Sequence, residues 1–209
     1  MKLIDMQVKD YFQLVASDAP APGGGSASAL CGAQGVGLIA MVARLTAGKE
    51  KFTAYHPVCQ QVIAKADGIC DKLSQQVDID TEAYGRIAGA FKLPKDTDEQ
   101  KAARKKAIGE ATEYATRVPL ETMRLGVQGL ECAEQLMGNY NTNCASDVGC
   151  GVDGLLCCVR GAWLNVLINV GGVPDQATAD SLKAEGEALA ARAEEMAAQL
   201  SGQVKQTIG

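Results

Sequence analysis

Two places in this sequence have the residue types and spacing that proton-transfer chemistry uses. Asp80 and Tyr84 stand four apart in "DTEAY", so on a helix they share one face. A carboxylate and a phenol so placed can hold a water. Equally, Asp80 can serve as an N-cap and Tyr84 as a half-buried core aromatic. Asp147 lies in "NCASDVG" among small and apolar residues, where an unpartnered buried charge is costly. Its plainer account is an acidic residue in a first helical turn, favourable against the helix dipole. A third stretch, "PGGGS" (Pro22–Ser26), suits a sharp turn with Ser26 as the N-cap of the following helix, whose open N–H groups would accept an anion or a carbonyl oxygen.

Other chemistries lack their residues. The glycine run is not followed by Gly-Lys-Ser/Thr, and no strand with G-x-G-x-x-G precedes a helix, so neither nucleotide-binding pattern fits. His56 is the only histidine, and the eight cysteines contain no C-x-x-C pair, which argues against zinc and iron–sulfur sites. The amino-terminal "MKLIDMQVKDYF" lacks the apolar region of a secretion signal. The cysteines are therefore read as reduced thiols, several of them core hydrophobes, in a cytoplasmic protein.

The elements that must position these residues are helices. No stretch alternates apolar and polar residues as a half-buried strand does. Leu182, Leu189, Met196 and Leu200 recur at sevens and fours, which predicts one amphipathic helix from Asp175 to about Thr207. Thr97-Asp98-Glu99-Gln100 fits a capping box that opens a helix running to about Arg117, where Val118-Pro119 should interrupt or kink it. A further helix should follow to Met137, stopped by Gly138-Asn139. Earlier helices are read at Met6–Ser17, Ser26–Ala47, Lys49–Gln75 and Asp80–Phe91. A later helical region has Gly161 as a candidate break and ends at Gly171-Gly172. Ser26–Thr46 is about as long as the ~20 residues of a membrane span. It carries Gln34 and Arg44, and a central helix of a soluble bundle is the better reading. The expectation is an all-α fold, a single-domain multi-helix up-and-down bundle over residues 1–209.

Composition is compatible with that fold. Apolar residues make up 47% and aromatics only 4%, so many close helix contacts, and a partner subunit, would help to fill the core. A net charge of −5 gives no signal for nucleic acid or an anionic membrane.

The order of motifs is more specific than any one of them. "PGGGS" is followed by "MVARLT" (Met41–Thr46), "DTEAYGRIAGAFKLPK" (Asp80–Lys95), Arg104, Ala107 and "VPL" (Val118–Leu120). The set ends with "GNYNTNCASDVG" (Gly138–Gly149) and "NVLINV" (Asn165–Val170). This sequence resembles the cyclodeaminase/cyclohydrolase family over nearly its whole length. The resemblance implies an all-helical homodimer that acts on folate one-carbon derivatives without metal or cofactor. With no formiminotransferase domain ahead of it, methenyltetrahydrofolate cyclohydrolase is the first expectation. Formiminotetrahydrofolate cyclodeaminase is the second, and a non-catalytic folate-binding module or helical adaptor the third.

Both reactions need a carboxylate near a cationic carbon and a group that moves protons, and neither needs a nucleophilic side chain. On this resemblance Asp147 is the first choice of carboxylate, with Asp80 and Tyr84 beside it as catalytic candidates. Gly24, Gly25 and Ser26 are expected to let backbone approach a flat substrate. Of Asn139, Asn141 and Asn143, Asn143 is the one expected to meet the pterin edge. Lys95 and Arg104 stand in a basic segment that suits the glutamate tail of a folate, although most of its lysines read as solvated. No metal, nucleic-acid or membrane partner is expected.

Overall fold

The apolar stripe Val62, Ala66, Ile69, Leu73 and Val77 recurs at fours and threes and is buried throughout, so nothing stops that helix where Asp80 was expected to begin a new one. In the computed structural model, which describes residues 2–209, the expected helices Lys49–Gln75 and Asp80–Phe91 merge into one element that begins only at His56, with Glu50–Tyr55 a separate 3₁₀ turn before it. The described helices are α1 (Val8–Val15), α2 (Gly24–Ala47), α3 (His56–Phe91), α4 (Asp98–Leu136), α5 (Ala145–Val170) and α6 (Gln176–Ile208), joined by short 3₁₀ turns and loops. No strand occurs among the described residues, and the fold is all-α. α2 is the central element, packed on α3, α5 and α4, while α6 covers α4 and α5.

Two expected breaks are absent. α5 runs through Gly161, and α4 runs through Pro119. Proline lacks the N–H that would bond the carbonyl four residues earlier, which orphans the oxygen of Ala115. Asn169 of α5 donates its side-chain N–H to that oxygen at 2.9 Å. The neighbouring helix thus repairs the defect, and the helix continues.

The expected ends hold where capping chemistry defines them. Thr97 accepts from the Gln100 N–H, and the Gln100 side chain accepts from the Thr97 N–H. Asp175 accepts from the Thr178 N–H at 2.8 Å at the start of α6. Cation–carboxylate pairs tie α6 to the rest, with Arg124 bonded to Glu185, Arg192 to Glu131 and Arg160 to Glu194. All eight cysteines are free thiols.

α2 and α5 approach closely because glycines face each other. A Cβ at Gly151 would stand 2.9 Å from the Gly35 carbonyl oxygen, too near for any side chain. Both α2 and the Thr142–Val170 stretch are long and apolar enough, by length and composition, to cross a membrane. In this fold 61% of the α2 window is buried among its neighbours, against 39% for the other. Much of the exposed remainder forms one apolar face where α2 and α5 lie side by side.

Candidate functional site

The glycine-rich turn is where α2 begins, and its details differ from the sequence reading. Gly23, not Ser26, is the cap. Ser26 is the third residue of α2 and is fully buried, with its hydroxyl turned across to α3. That hydroxyl shares its single proton between the Val77 carbonyl at 2.7 Å and, more weakly, Asp80 Oδ2 at 3.2 Å. It also lies 3.1 Å from the Thr81 hydroxyl. The Ser26 backbone N–H donates to Asp80 Oδ2 at 2.9 Å. Open N–H groups at a helix start attract an anion, and here the anion is the protein's own carboxylate.

Asp80 is therefore no N-cap. It sits in the interior of α3 and bridges to the start of α2. Burial pushes its carboxyl above the usual carboxylate range, and the two Ser26 donors pull it back only in part. One oxygen is committed to Ser26. The other, Oδ1, accepts no hydrogen bond among the described residues and lies against Gly25. A Cβ at Gly25 would stand 2.7 Å from Oδ2 and closer still to Oδ1, so glycine is required there by the carboxylate.

In front of Asp80 opens a cleft of about 180 Å³. Tyr84 and Ile87 continue the Asp80 face of α3 along one wall, while Asn165, Ile168 and Asn169 of α5 form the other. Gly24 lies at the mouth, where a Cβ would come 3.3 Å from Asn165 Nδ2. Asn165 gives its N–H to the Gly161 carbonyl at 2.8 Å, and Asn169 gives its own to Ala115. Each amide keeps its oxygen and a second N–H, so the pair can both accept from and donate to a ligand. The cleft thus carries two side-chain amides and apolar side chains on its walls, with a raised carboxyl beside them. It can hold a flat, N–H-bearing, cationic ring and exchange a proton with it.

Behind the cleft, Tyr11 of α1 packs with Ala29 and Val77, one turn from Ser26 and from Asp80. Its hydroxyl is buried with no partner. Burial, Cys31 and the nearby Asp80 charge push this phenol upward.

The structure brings Gly24, Gly25, Ser26, Asp80 and Tyr84 together. Asp147, the first choice from sequence, is in the opening turn of α5 and partly exposed. Asn165 follows it by eighteen residues on the same straight helix, about 27 Å away at 1.5 Å per residue. Within one chain Asp147 and Asp80 do not share a site. Asn143 is exposed beside Asp147, and its amide N–H reaches Asn141 Oδ1 at 3.4 Å. Asn141 is buried and structural, with its N–H on the Thr46 hydroxyl at 3.0 Å. Arg104 donates twice to the Phe91 carbonyl, at 3.1 and 3.3 Å, at the end of α3. It lines a shallow basic groove with Lys95, Lys101 and Lys105. Phe91 lies eleven residues beyond Asp80 on the same face of α3, about 16 Å along the axis.

Sequence reasoning did not single out Asn165, Asn169, Thr81 or Tyr11. The two asparagines were within reach, since they stand four apart in "NVLINV". Tyr11 had no signal of its own. Among the described residues no three His, Cys, Asp or Glu side chains converge as metal ligands do.

Comparison with known proteins agrees with this architecture. The sequence profile of the formiminotransferase-cyclodeaminase family matches residues 7–203. A methenyltetrahydrofolate cyclohydrolase of Methylorubrum extorquens is 39% identical over 186 residues, covering 89% of each chain. The formimidoyltransferase-cyclodeaminase of Rattus norvegicus is 30% identical over 97% of this chain, which spans 38% of that longer protein. The crystal structure of formiminotetrahydrofolate cyclodeaminase from Thermotoga maritima superposes with a TM-score of 0.88, covering 100% of both chains at 22% identity, a likeness of fold.

Proposed function

Because the chain belongs to the formiminotransferase-cyclodeaminase family, we propose that it hydrolyses 5,10-methenyltetrahydrofolate to 10-formyltetrahydrofolate in the Asp80 cleft. The observation that carries this reading is the Asp80 carboxylate, held by one oxygen at the start of α2 with the other left for substrate. The substrate's amidinium carbon, between N5 and N10, is cationic. Asp80 stabilises that charge and takes a proton as water adds to the carbon. The tetrahedral adduct then breaks its bond to N5 as its hydroxyl becomes the formyl C=O and releases its proton to solvent, and Asp80 returns the first proton to N5, leaving the formyl group on N10. Burial that raises the Asp80 carboxyl favours both halves of this exchange. No cofactor enters the reaction.

The remaining substrate has room along the same surface. Tyr84, Ile87 and Ile168 offer apolar area to the pterin, and the amides of Asn165 and Asn169 line the cleft where its polar edge would lie. Arg104 and Lys95, farther along α3 and α4, meet the glutamate carboxylates. The exposed apolar face of α2 and α5 suits a second copy of the chain, in keeping with a homodimer in the cytoplasm rather than a membrane-bound form.

Formiminotetrahydrofolate cyclodeamination is the competing activity, because the same cleft could lose ammonia from a related adduct. Purified protein incubated separately with each substrate distinguishes them. Methenyl absorbance should fall faster than in buffer with the first substrate. A rise in methenyl absorbance with ammonia release from the formimino substrate would instead assign the cyclodeaminase.

A further inference from the structure

The "NCASDVG" motif is unused by the cleft of its own chain, yet its place on α5 has a regularity. Asp147 and Asn165 are eighteen residues apart, five full helical turns, so they project from the same side of α5 at opposite ends. Their midpoint is residue 156. Asp153 and Arg160 are seven apart, both exposed, on the other edge of the exposed face. Their midpoint falls between Leu156 and Cys157, half a residue away. Asp153 has no ion-pair partner among the described residues. Arg160 bonds Glu194 through Nε and Nη2, which leaves Nη1 to donate elsewhere.

Between and beyond these charges the surface is apolar. Ile168 is 81% exposed and Leu164 65%, with Cys157 between the two charged residues. Met41 and Leu45 extend the face onto α2. A two-fold axis in the plane of this face, perpendicular to α5 at residues 156–157, lays α5 antiparallel on its copy. Each residue then meets the one as far on the other side of the axis, and the two edges of the face keep their sides. Asp153 meets the partner's Arg160 and the reverse, a self-complementary pair as an isologous interface requires. The same operation sets Asp147 over the partner's Asn165, which lines the partner's cleft.

We propose that the protein pairs through α5 about this axis and that the pairing delivers Asp147 of each subunit to the Asp80 cleft of the other. Resting on the folate reading above, the complete site has two carboxylates on opposite sides of the cationic ring, one from each chain. The motif that the single chain leaves idle becomes part of the site.

The test is complementation. Asp80→Asn and Asp147→Asn chains carrying different tags are co-expressed, and the mixed dimer is isolated through both tags. Each homodimer should lose at least 100-fold in rate with its melting point kept. The mixed dimer holds one complete site and should recover about half the wild-type rate. A mixed dimer no faster than its parents, or a fully active Asp147→Asn homodimer, overturns the proposal. The axis is tested without turnover by light scattering. Asp153→Arg should give monomer, and adding Arg160→Asp should restore the dimer. An undisturbed Asp153→Arg dimer overturns the axis. Wild-type protein that turns over neither folate substrate would instead defeat the folate reading, and the charge swap would still decide the axis.

Discussion

Gly25→Ala should damage this protein far more than an alanine one or two residues earlier. The added methyl would stand 2.7 Å from the farther oxygen of Asp80, where ordinary contact begins at 3.4 Å, and the nearer oxygen is closer still. The carboxylate must therefore retreat by roughly 1 Å or more to reach van der Waals separation. That retreat stretches both hydrogen bonds from Ser26, now 2.9 and 3.2 Å. Bonds to a charged group contribute about 1.5–3 kcal/mol each, and alanine returns at most about 1 kcal/mol of helix propensity. Losing both bonds would give a net loss of about 2–5 kcal/mol, the upper bound for bonds that are only stretched, read as a lower melting temperature. Turnover should fall about 100-fold, since a displacement of 1 Å at a reacting group costs about that much. Gly23 is the control, because a Cβ there meets nothing within 4 Å. Gly23→Ala should leave both melting and turnover near wild type. The assay is the decay of methenyl absorbance beside a thermal melt. A Gly25→Ala protein that melts and turns over normally would refute the placement of Asp80 against α2.

Other expectations follow from single contacts. The Asp80 carboxyl is raised by burial, so the folded chain holds a proton that the unfolded chain releases. Stability should therefore fall as pH rises from the ordinary carboxylate range through the raised value. This slope should shrink in Asp80→Asn, as melting at several pH values would show. Arg104→Ala should raise KM for a polyglutamated folate several-fold with kcat little changed, and should matter less for a substrate with one glutamate. Asn169→Leu should destabilise by about 1–3 kcal/mol, because it leaves the Ala115 carbonyl without its donor. Pairing that change with Pro119→Ala, which restores the helix's own N–H, should recover part of the loss.

The helical class and the capped ends were legible because they are local. Thr97 with Gln100 and Asp175 with Thr178 are closed by bonds between near neighbours in the chain. Where distant chain decides, local reading failed. Pro119 looked like a break because Asn169, fifty residues on, could not be seen supplying its missing partner. Asp80 looked like a helix start because its true partner, the N-terminus of α2, is fifty-four residues earlier. Ser26 looked like a cap because serine before an apolar run usually is one, but the inward bond to Val77 turned it into the anchor of the site. No pattern in the sequence shows that Asp147 and Asp80 lie at opposite ends of α5, because that separation depends on how α2, α3 and α5 pack. The glycine run was recognised as a close-approach turn, and the approaching group proved to be a carboxylate of the same chain.

The most direct measurement is the initial rate of 5,10-methenyltetrahydrofolate hydrolysis by Asp80→Asn beside wild type, at matched concentration and with melting curves recorded. The amide keeps an oxygen for the Ser26 N–H but cannot carry the proton between water and N5. The rate should fall at least 100-fold, within the range that loss of a general acid–base group produces, while the protein melts no lower than wild type. An Asp80→Asn enzyme of near-normal rate would contradict the account.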